Sequence, residues 1–514
     1  MNVLGDPVFS ARQVDSTSMS LSTVLSHLGA RREIELTALR PHQQHAWHAF
    51  LVQLAALVAQ RGGDRRLDRS PEEWRRALVD LAGDGGEAAW CLSVGDLSKP
   101  AFLQPPVPEG DLGRFRGGAA SPDALDVVIT TRNHDVKRDR MMHPRAEHWV
   151  FALLTLQTME GFLGRGNYGI ARMNSGFGSR PAVGFAPGLG WAERFHRDVE
   201  VWLRLRPTLV EELGYAEEGG HALLWTLPWD GRTSRSLQSC DPFFVEVCRR
   251  VRLVPLDGGG WEARLASSET QFLDAKEWQG DTGDAWTPIS AEGKALTVGG
   301  DGFSYRKMTD LLFTGEYRRR PALELGSADP ASGVVVAQVL ARGQGKTDGF
   351  HERVIPVPGK IRARMGVPQD RDALAALARA RVERSAAAQR RVLRPALCSL
   401  LQGGPEALDL TDRRTDRWVE RLDAAIDSVF FDDLWSAADL TSDEANRRWD
   451  LRLVELAQRE LEDAIGSAPV PLATRPRAVA RAEMRFDGAA RKHLGGAFQA
   501  PAFQAPPSSE EVPA

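Results

Sequence analysis

From about Gly359 onward the chain has few options other than helix. After the punctuation "PVPGKIRARMGVPQD" come four amphipathic segments: "RDALAALARARVERSAAAQRRVLRPALCSLLQ", "TDRWVERLDAAIDSVFFDDLW", "TSDEANRRWDLRLVELAQRELEDAIG" and "TRPRAVARAEMRFDGAARKHL". The first is built from alanine, leucine and arginine, among the strongest helix formers. Thr441-Ser442-Asp443-Glu444 caps the third and puts acids in its first turn. Four helices of similar length with short connections predict a four-helix bundle over residues 361–495. The tail, residues 496–514, is rich in Pro, Ser and Ala without periodicity, and is expected to be disordered.

Residues 1–360 read differently. "LRPHQQHAWHAFLVQLAALVAQRGG" and "SPEEWRRALVDLAGDGG" are helices, the second with Ser70 as N-cap and Pro71 at the first helical position. From about Lys99 to Gly359 apolar runs are short, and Asp257-Gly258 and Asp301-Gly302 mark turns. This texture is too irregular for a Rossmann or barrel pattern. The predicted class is α+β: a large irregular mixed N-terminal domain followed by the bundle. A chain of 514 residues exceeds one typical core, so at least two domains are expected.

With 65 basic and 69 acidic residues, a uniformly basic nucleic-acid coat is excluded, while one basic face is not. Cys91, Cys240, Cys248 and Cys398 show no CxxC spacing and read as reduced thiols. The first residues lack a signal-peptide pattern, and "AWHAFLVQLAALVAQ" falls short of a membrane span. The expectation is a soluble cytoplasmic protein without membrane contact.

"LARGQGKTDGF", Leu340 to Phe350, looks at first like a phosphate loop closing on Gly345-Lys346-Thr347. That motif needs a glycine where Leu340 stands, and a helix where "VIPVP" places two prolines. A nucleotide hydrolase using Lys346 and Thr347 is therefore the weaker alternative. A hairpin fits better: "VVVAQVL" up, "ARGQGKTDG" turning, "FHERVIPV" back. Its tip offers Arg342, Gln344 and Lys346, either to solvent or to nucleic acid.

"FLGRGNYGIARMNSGFGSRP", Phe162 to Pro181, lets backbone approach a ligand closely and carries arginines suited to an anion; a packed ordered loop is the plain alternative. "TTRNHDVKRDRMMHPR" contributes Arg132, Asn133 and Lys137 to a basic loop suited to nucleic acid or simply to water. His42, His45 and His48 lack an acidic fourth ligand and read as helix-face or core residues. Asp432-Asp433, in a helical segment, reads as solvent-exposed. No Ser-His-Asp or Cys-His constellation stands out, so binding is favoured over catalysis.

The glycine stretch, "LARGQGKTDGFHER", "PHQQHAWHAFLVQLAAL" and "KPAFLQPP" (Lys99 to Pro106) together resemble the large subunit of the type I-E CRISPR Cascade complex, the CasA family. The resemblance covers nearly the whole chain except the tail. It implies an α+β domain followed by a four-helix bundle, no catalytic activity and no cofactor. It further implies a subunit that reads the protospacer-adjacent motif of duplex DNA from the minor groove, helps open the duplex and recruits a helicase-nuclease. Guide RNA and the backbone, guide-5′-end-binding and small Cascade subunits would be partners. By that resemblance the family's glycine loop falls at Gly166-Asn167-Tyr168-Gly169. Its glutamine wedge falls on Gln344 between Gly343 and Gly345, next to Lys346. Its lysine finger falls on Lys276, with Arg264 or Lys294 as alternatives, and a loop near the guide and the target falls around Asn133; Arg172 of the glycine stretch is also expected to contact nucleic acid. Some relatives hold zinc with two CxxC pairs; Cys240 and Cys248 are too far apart for one, so no metal is expected. Arg379, Arg381, Arg384, Arg390, Arg391 and Arg394 exceed what solubility requires, and Arg379, Arg384 and Arg391 are expected to contact a DNA strand. A protein scaffold that touches no DNA is a further alternative.

Overall fold

The computed structural model describes residues 1–498 apart from 13–17, 127–140, 142, 175–179, 327–328 and 344–345, with backbone alone described at 342, 343 and 346–348. The chain divides into two compact units. One comprises Met1–Phe303 and Gly315–Arg362; the other comprises Ser304–Thr314 and the chain from Ala363 onward.

The first unit is organised around α2 (Gln44–Gly62). Every residue from His45 to Ala59 is buried, so this helix is surrounded by protein on all sides and is apolar apart from His45, His48 and Gln53. Around it lie α1 (Leu21–Gly29), α3 (Pro71–Leu81), α4 (Ala146–Met159) and α5 (Trp191–Leu213). Ser70 caps α3 as expected, and with Glu73 it forms a capping box in which each side chain accepts from the other's amide. No described helix is long and apolar enough to cross a membrane.

The strands form small separate sheets rather than one layer, as the irregular texture requires. In one sheet, β1 (Ala182–Ala186) and β6 (Lys346–Val357) flank β5 (Gly333–Gly343), all antiparallel, with Val336 opposite both Gly184 and Val354. In a second sheet, β3 (Arg250–Pro255) pairs with β4 (Trp261–Ala266). β2 (Cys240–Val245) runs just before it.

The second unit contains α7 (Pro368–Ala387), continued through a wide π turn into α8 (Arg394–Leu401), then α9 (Asp416–Ser436), α10 (Ser442–Ser467) and α11 (Arg475–His493). Trp418, Leu422, Phe430, Trp449, Leu453 and Phe486 fill its interior. The short helix α6 (Tyr305–Thr309) belongs here too: the Tyr305 ring lies 4.7 Å from that of Phe430, and Arg306 binds Asp423 at 2.8 Å. Asp433, read from sequence as solvent-exposed, is instead an internal counter-charge. It sits 2.7 Å from the fully buried Arg381, because a charge buried inside a bundle must be paired. The tail beyond Phe498, expected to be disordered, lies outside the described residues.

Candidate nucleic-acid interface

The segment after α4 folds back on itself. The amide of Leu163 donates to the carbonyl of Asn167, that of Asn167 to Gly164, and that of Ile170 to Glu160. Gly164 and Gly166 hold φ values of +113° and +89°, conformations that other residues enter at a cost. A Cβ on Gly166 would lie 2.8 Å from that of Ser267, and one on Gly169 would lie 2.8 Å from the Gly161 carbonyl carbon. Both glycines are therefore set by close packing. Arg165 and Asn167 are exposed at the tip.

Three groups from elsewhere fix this loop. Arg249 donates Nη2 to the carbonyl of Gly161 at 2.7 Å. The amide of Ser268 donates to Gly166 at 3.0 Å. Glu246 accepts from the amide of Ala171 at 2.7 Å and from Arg172 Nη1 at 2.9 Å. Arg172 also donates to the Phe244 carbonyl, and its guanidinium lies 3.7 Å from the Phe244 ring centre.

Lys276 opens a helical turn, Lys276–Trp278, eight residues beyond Ser268 on the connection that leaves β4. It is exposed and has no ion pair among the described residues. The alternatives Arg264 and Lys294 are each paired with an acid, Glu262 and Glu292 respectively. The loop and Lys276 meet at a cavity of about 390 Å³ whose lining includes Phe162, Tyr168, Gly169, Met173, Gln271 and Lys276. Residues 108 positions apart in sequence, Tyr168 and Lys276, thus share one opening. Phe162 and Tyr168, with ring centres 5.9 Å apart, supply its aromatic wall. Gln271, Met173 and Phe162 were not anticipated; nothing in their local sequence sets them apart.

Arg172 must be removed from the set of nucleic-acid-contacting residues. Its side chain is 1% exposed, held by Glu246 and lying 3.6 Å from Asp284. Arg180 is equally buried and also binds Asp284. Two of the three arginines that made this glycine stretch look anion-seeking, Arg172 and Arg180, are thus internal staples, and Arg165 alone stays exposed.

The hairpin is formed. β5 and β6 pair continuously, with Gly343 opposite Lys346. The strands reach further than the expected turn over residues 341–349, because a bulge absorbs the extra residue: Ala341 faces Gly349, whereas Arg342 faces Thr347. Lys346 and Thr347 begin a strand, not a helix, so no converging helix amides await a nucleotide phosphate. Gln344 and Gly345 lie outside the described residues, as do Arg132, Asn133 and Lys137.

In the second unit, Arg379 and Arg391 are exposed, while Arg384 and Arg394 are committed to Asp450 and Asp416 and Arg381 to Asp433. The histidine series does not converge. His42 binds Asp126, His48 binds Asp198, and buried His45 has no partner for either ring nitrogen. No group of three metal-ligating side chains occurs among the described residues. Burial pushes the Cys240 and Cys248 thiols up to about 12, which disfavours the thiolates that a metal would need.

An irregular α+β unit with a hairpin sheet, joined to a helical bundle, is the fold of CasA (Cse1) proteins. The chain superposes on Thermus thermophilus CasA (Cse1) with a TM-score of 0.60 at 15% identity, covering 96% of this chain and 99% of that one. For the CRISPR-associated protein Cse1 from Acidimicrobium ferrooxidans the TM-score is 0.62 at 15% identity, with 96% and 98% covered. A chain of a CRISPR RNA-guided surveillance complex matches at 0.54 and 15% identity, over 95% and 99%. No family model and no curated protein sequence matches.

Proposed function

We propose that this chain is the non-catalytic DNA-recognition subunit of an RNA-guided Cascade complex. In this reading it recognises the protospacer-adjacent motif from the minor groove, helps to open the duplex, and recruits the helicase-nuclease once the R-loop has formed. The observation that carries the proposal is agreement with CasA folds along almost the whole chain. The cavity shared by Tyr168, Gly169 and Lys276 supports it: a cation without an acidic partner among the described residues stands beside a closely packed glycine loop.

The chemistry is consistent. Minor-groove edges distinguish A·T from G·C and little else, so a reader there tolerates several motif sequences. Lys276 supplies a donor to acceptors in that groove, and Gln344 on the hairpin acts as the wedge between base steps. Unstacking costs a few kcal/mol per step, offset by phosphate contacts and heteroduplex formation.

The test is a reconstituted complex titrated with duplexes that differ only in the flanking motif. Motif-dependent binding that weakens in Lys276→Ala and Gln344→Ala is expected. Motif-independent binding, indifferent to both substitutions, would instead indicate a scaffold.

A further inference from the structure

Glu246 is more than 70 positions from the glycine loop in sequence, is 2% exposed, and uses both carboxylate oxygens on that loop's exit: one on the Ala171 amide, one on Arg172. Arg249, three residues on, holds the loop's entry through the Gly161 carbonyl. The Ser268 amide holds the middle through Gly166, and Ser268 lies on the segment that leads to Lys276. A Cβ on Gly280, just beyond the Lys276 turn, would lie 2.6 Å from the carbonyl carbon of Met173. The turn is thus packed directly against the residue that follows Arg172.

We infer that Glu246 is a positioning residue: its carboxylate fixes the distance between the glycine loop and Lys276, and so sets how stringently the site discriminates motifs. This deepens the DNA-reading proposal and rests on it. The physical reason is that a groove reader gains selectivity only if its donors are held within about 0.5 Å of the productive position. Loop backbone and a lysine side chain cannot hold themselves to that tolerance. Glu246 can, because a buried carboxylate that loses its partners must leave two donors unsatisfied. The remaining charges facing this point are Arg172, Asp284, Arg180 and, beyond Cys248, Arg249 with Glu160. None of these replaces the bond to the Ala171 amide.

Glu246→Gln keeps the size and one acceptor but sets an amide against the Arg172 guanidinium. Amide hydrogen exchange across residues 161–172 of the isolated full-length chain is expected to quicken about tenfold or more. In the reconstituted complex, the affinity ratio between permissive and non-permissive motifs is expected to fall about tenfold. Affinity for motif-free DNA and its salt slope should hold, because Glu246 touches no surface. Should the single variant fold poorly, Glu246→Gln with Arg172→Gln removes the unpaired charge and is read the same way. Unchanged exchange, or quickened exchange with an unchanged motif ratio, would overturn the inference. A wild-type complex without motif preference would overturn the DNA-reading proposal, and loss of loop protection in Glu246→Gln would then still establish the clamp.

Discussion

Arg384 places Nη1 2.6 Å from both carboxylate oxygens of Asp450. Asp450 is fully buried, and burial pushes its carboxyl above the ordinary range despite the arginine beside it. Arg384 is therefore the counter-charge that lets this carboxylate remain inside the bundle. Arg384→Ala is expected to destabilise the protein by about 3 kcal/mol, since breaking a buried pair strands the other charge. The sign with pH follows. A carboxyl whose folded pKa is raised contributes full stability below its unfolded pKa and loses it as pH rises through the folded value. The variant's deficit should shrink on acidification towards pH 4, as read by denaturant unfolding at several pH values.

Arg379 and Arg391 are exposed and have no acidic partner among the described residues. Charge reversal at both should leave thermal stability within about 0.5 kcal/mol. If they bind a DNA strand, the slope of log affinity against log salt should fall by about 0.9 for each phosphate no longer neutralised. Titration of the assembled complex at several salt concentrations measures it, and an unchanged slope excludes both residues from the interface.

Gly169→Ala and Gly166→Ala should each destabilise the loop, for different reasons. At Gly169 the new Cβ collides with backbone at Gly161 and Phe162; at Gly166 it meets Ser267 on a backbone with positive φ. A cost of about 1–3 kcal/mol is expected for each. Gly164→Ala, with nothing within 4 Å, should cost only what its positive φ demands. Thermal melts of the three variants provide the ranking.

Burial lowers the pKa of both His45 and His48, with nearby Arg180 and Arg194 adding to the shift in His45. Such a group is neutral in the fold and gains a proton on unfolding. Its contribution is fully present above the unfolded value near 6.5 and is lost as pH falls below it. Stability should therefore decline between pH 7 and pH 5. His45→Phe should flatten that decline without large loss, because neither ring nitrogen of His45 has a partner to forfeit.

Where a pattern is local, the sequence was readable. Ser70 before Pro71 and Glu73 dictates a helix start, alternation around a glycine cluster dictates a hairpin, and amphipathic spacing dictates the bundle helices. The α+β class follows from these. Arg172 and Arg180 were misread because an arginine in a glycine stretch looks the same whether its counter-ion is a phosphate or a distant carboxylate. Their partners Glu246 and Asp284 lie 74 and 104 positions away, and only tertiary folding brings them close. The cavity at Lys276 was hidden for the same reason. The loop supplying its wall and the turn supplying its cation have no shared periodicity.

Tyr305 and its short helix bear on how the protein can be cut. A fragment beginning at residue 363 would contain every long helix of the bundle yet omit the ring packed on Phe430 and the guanidinium bound to Asp423. The segment that completes this interior lies about fifty residues before residue 363, which raises the contact order of the unit above that of a simple up-and-down bundle. Such a fragment is expected to be less stable than the same residues within the full chain. Each unit is drawn from two separate stretches of the sequence, so no single cut yields either one whole.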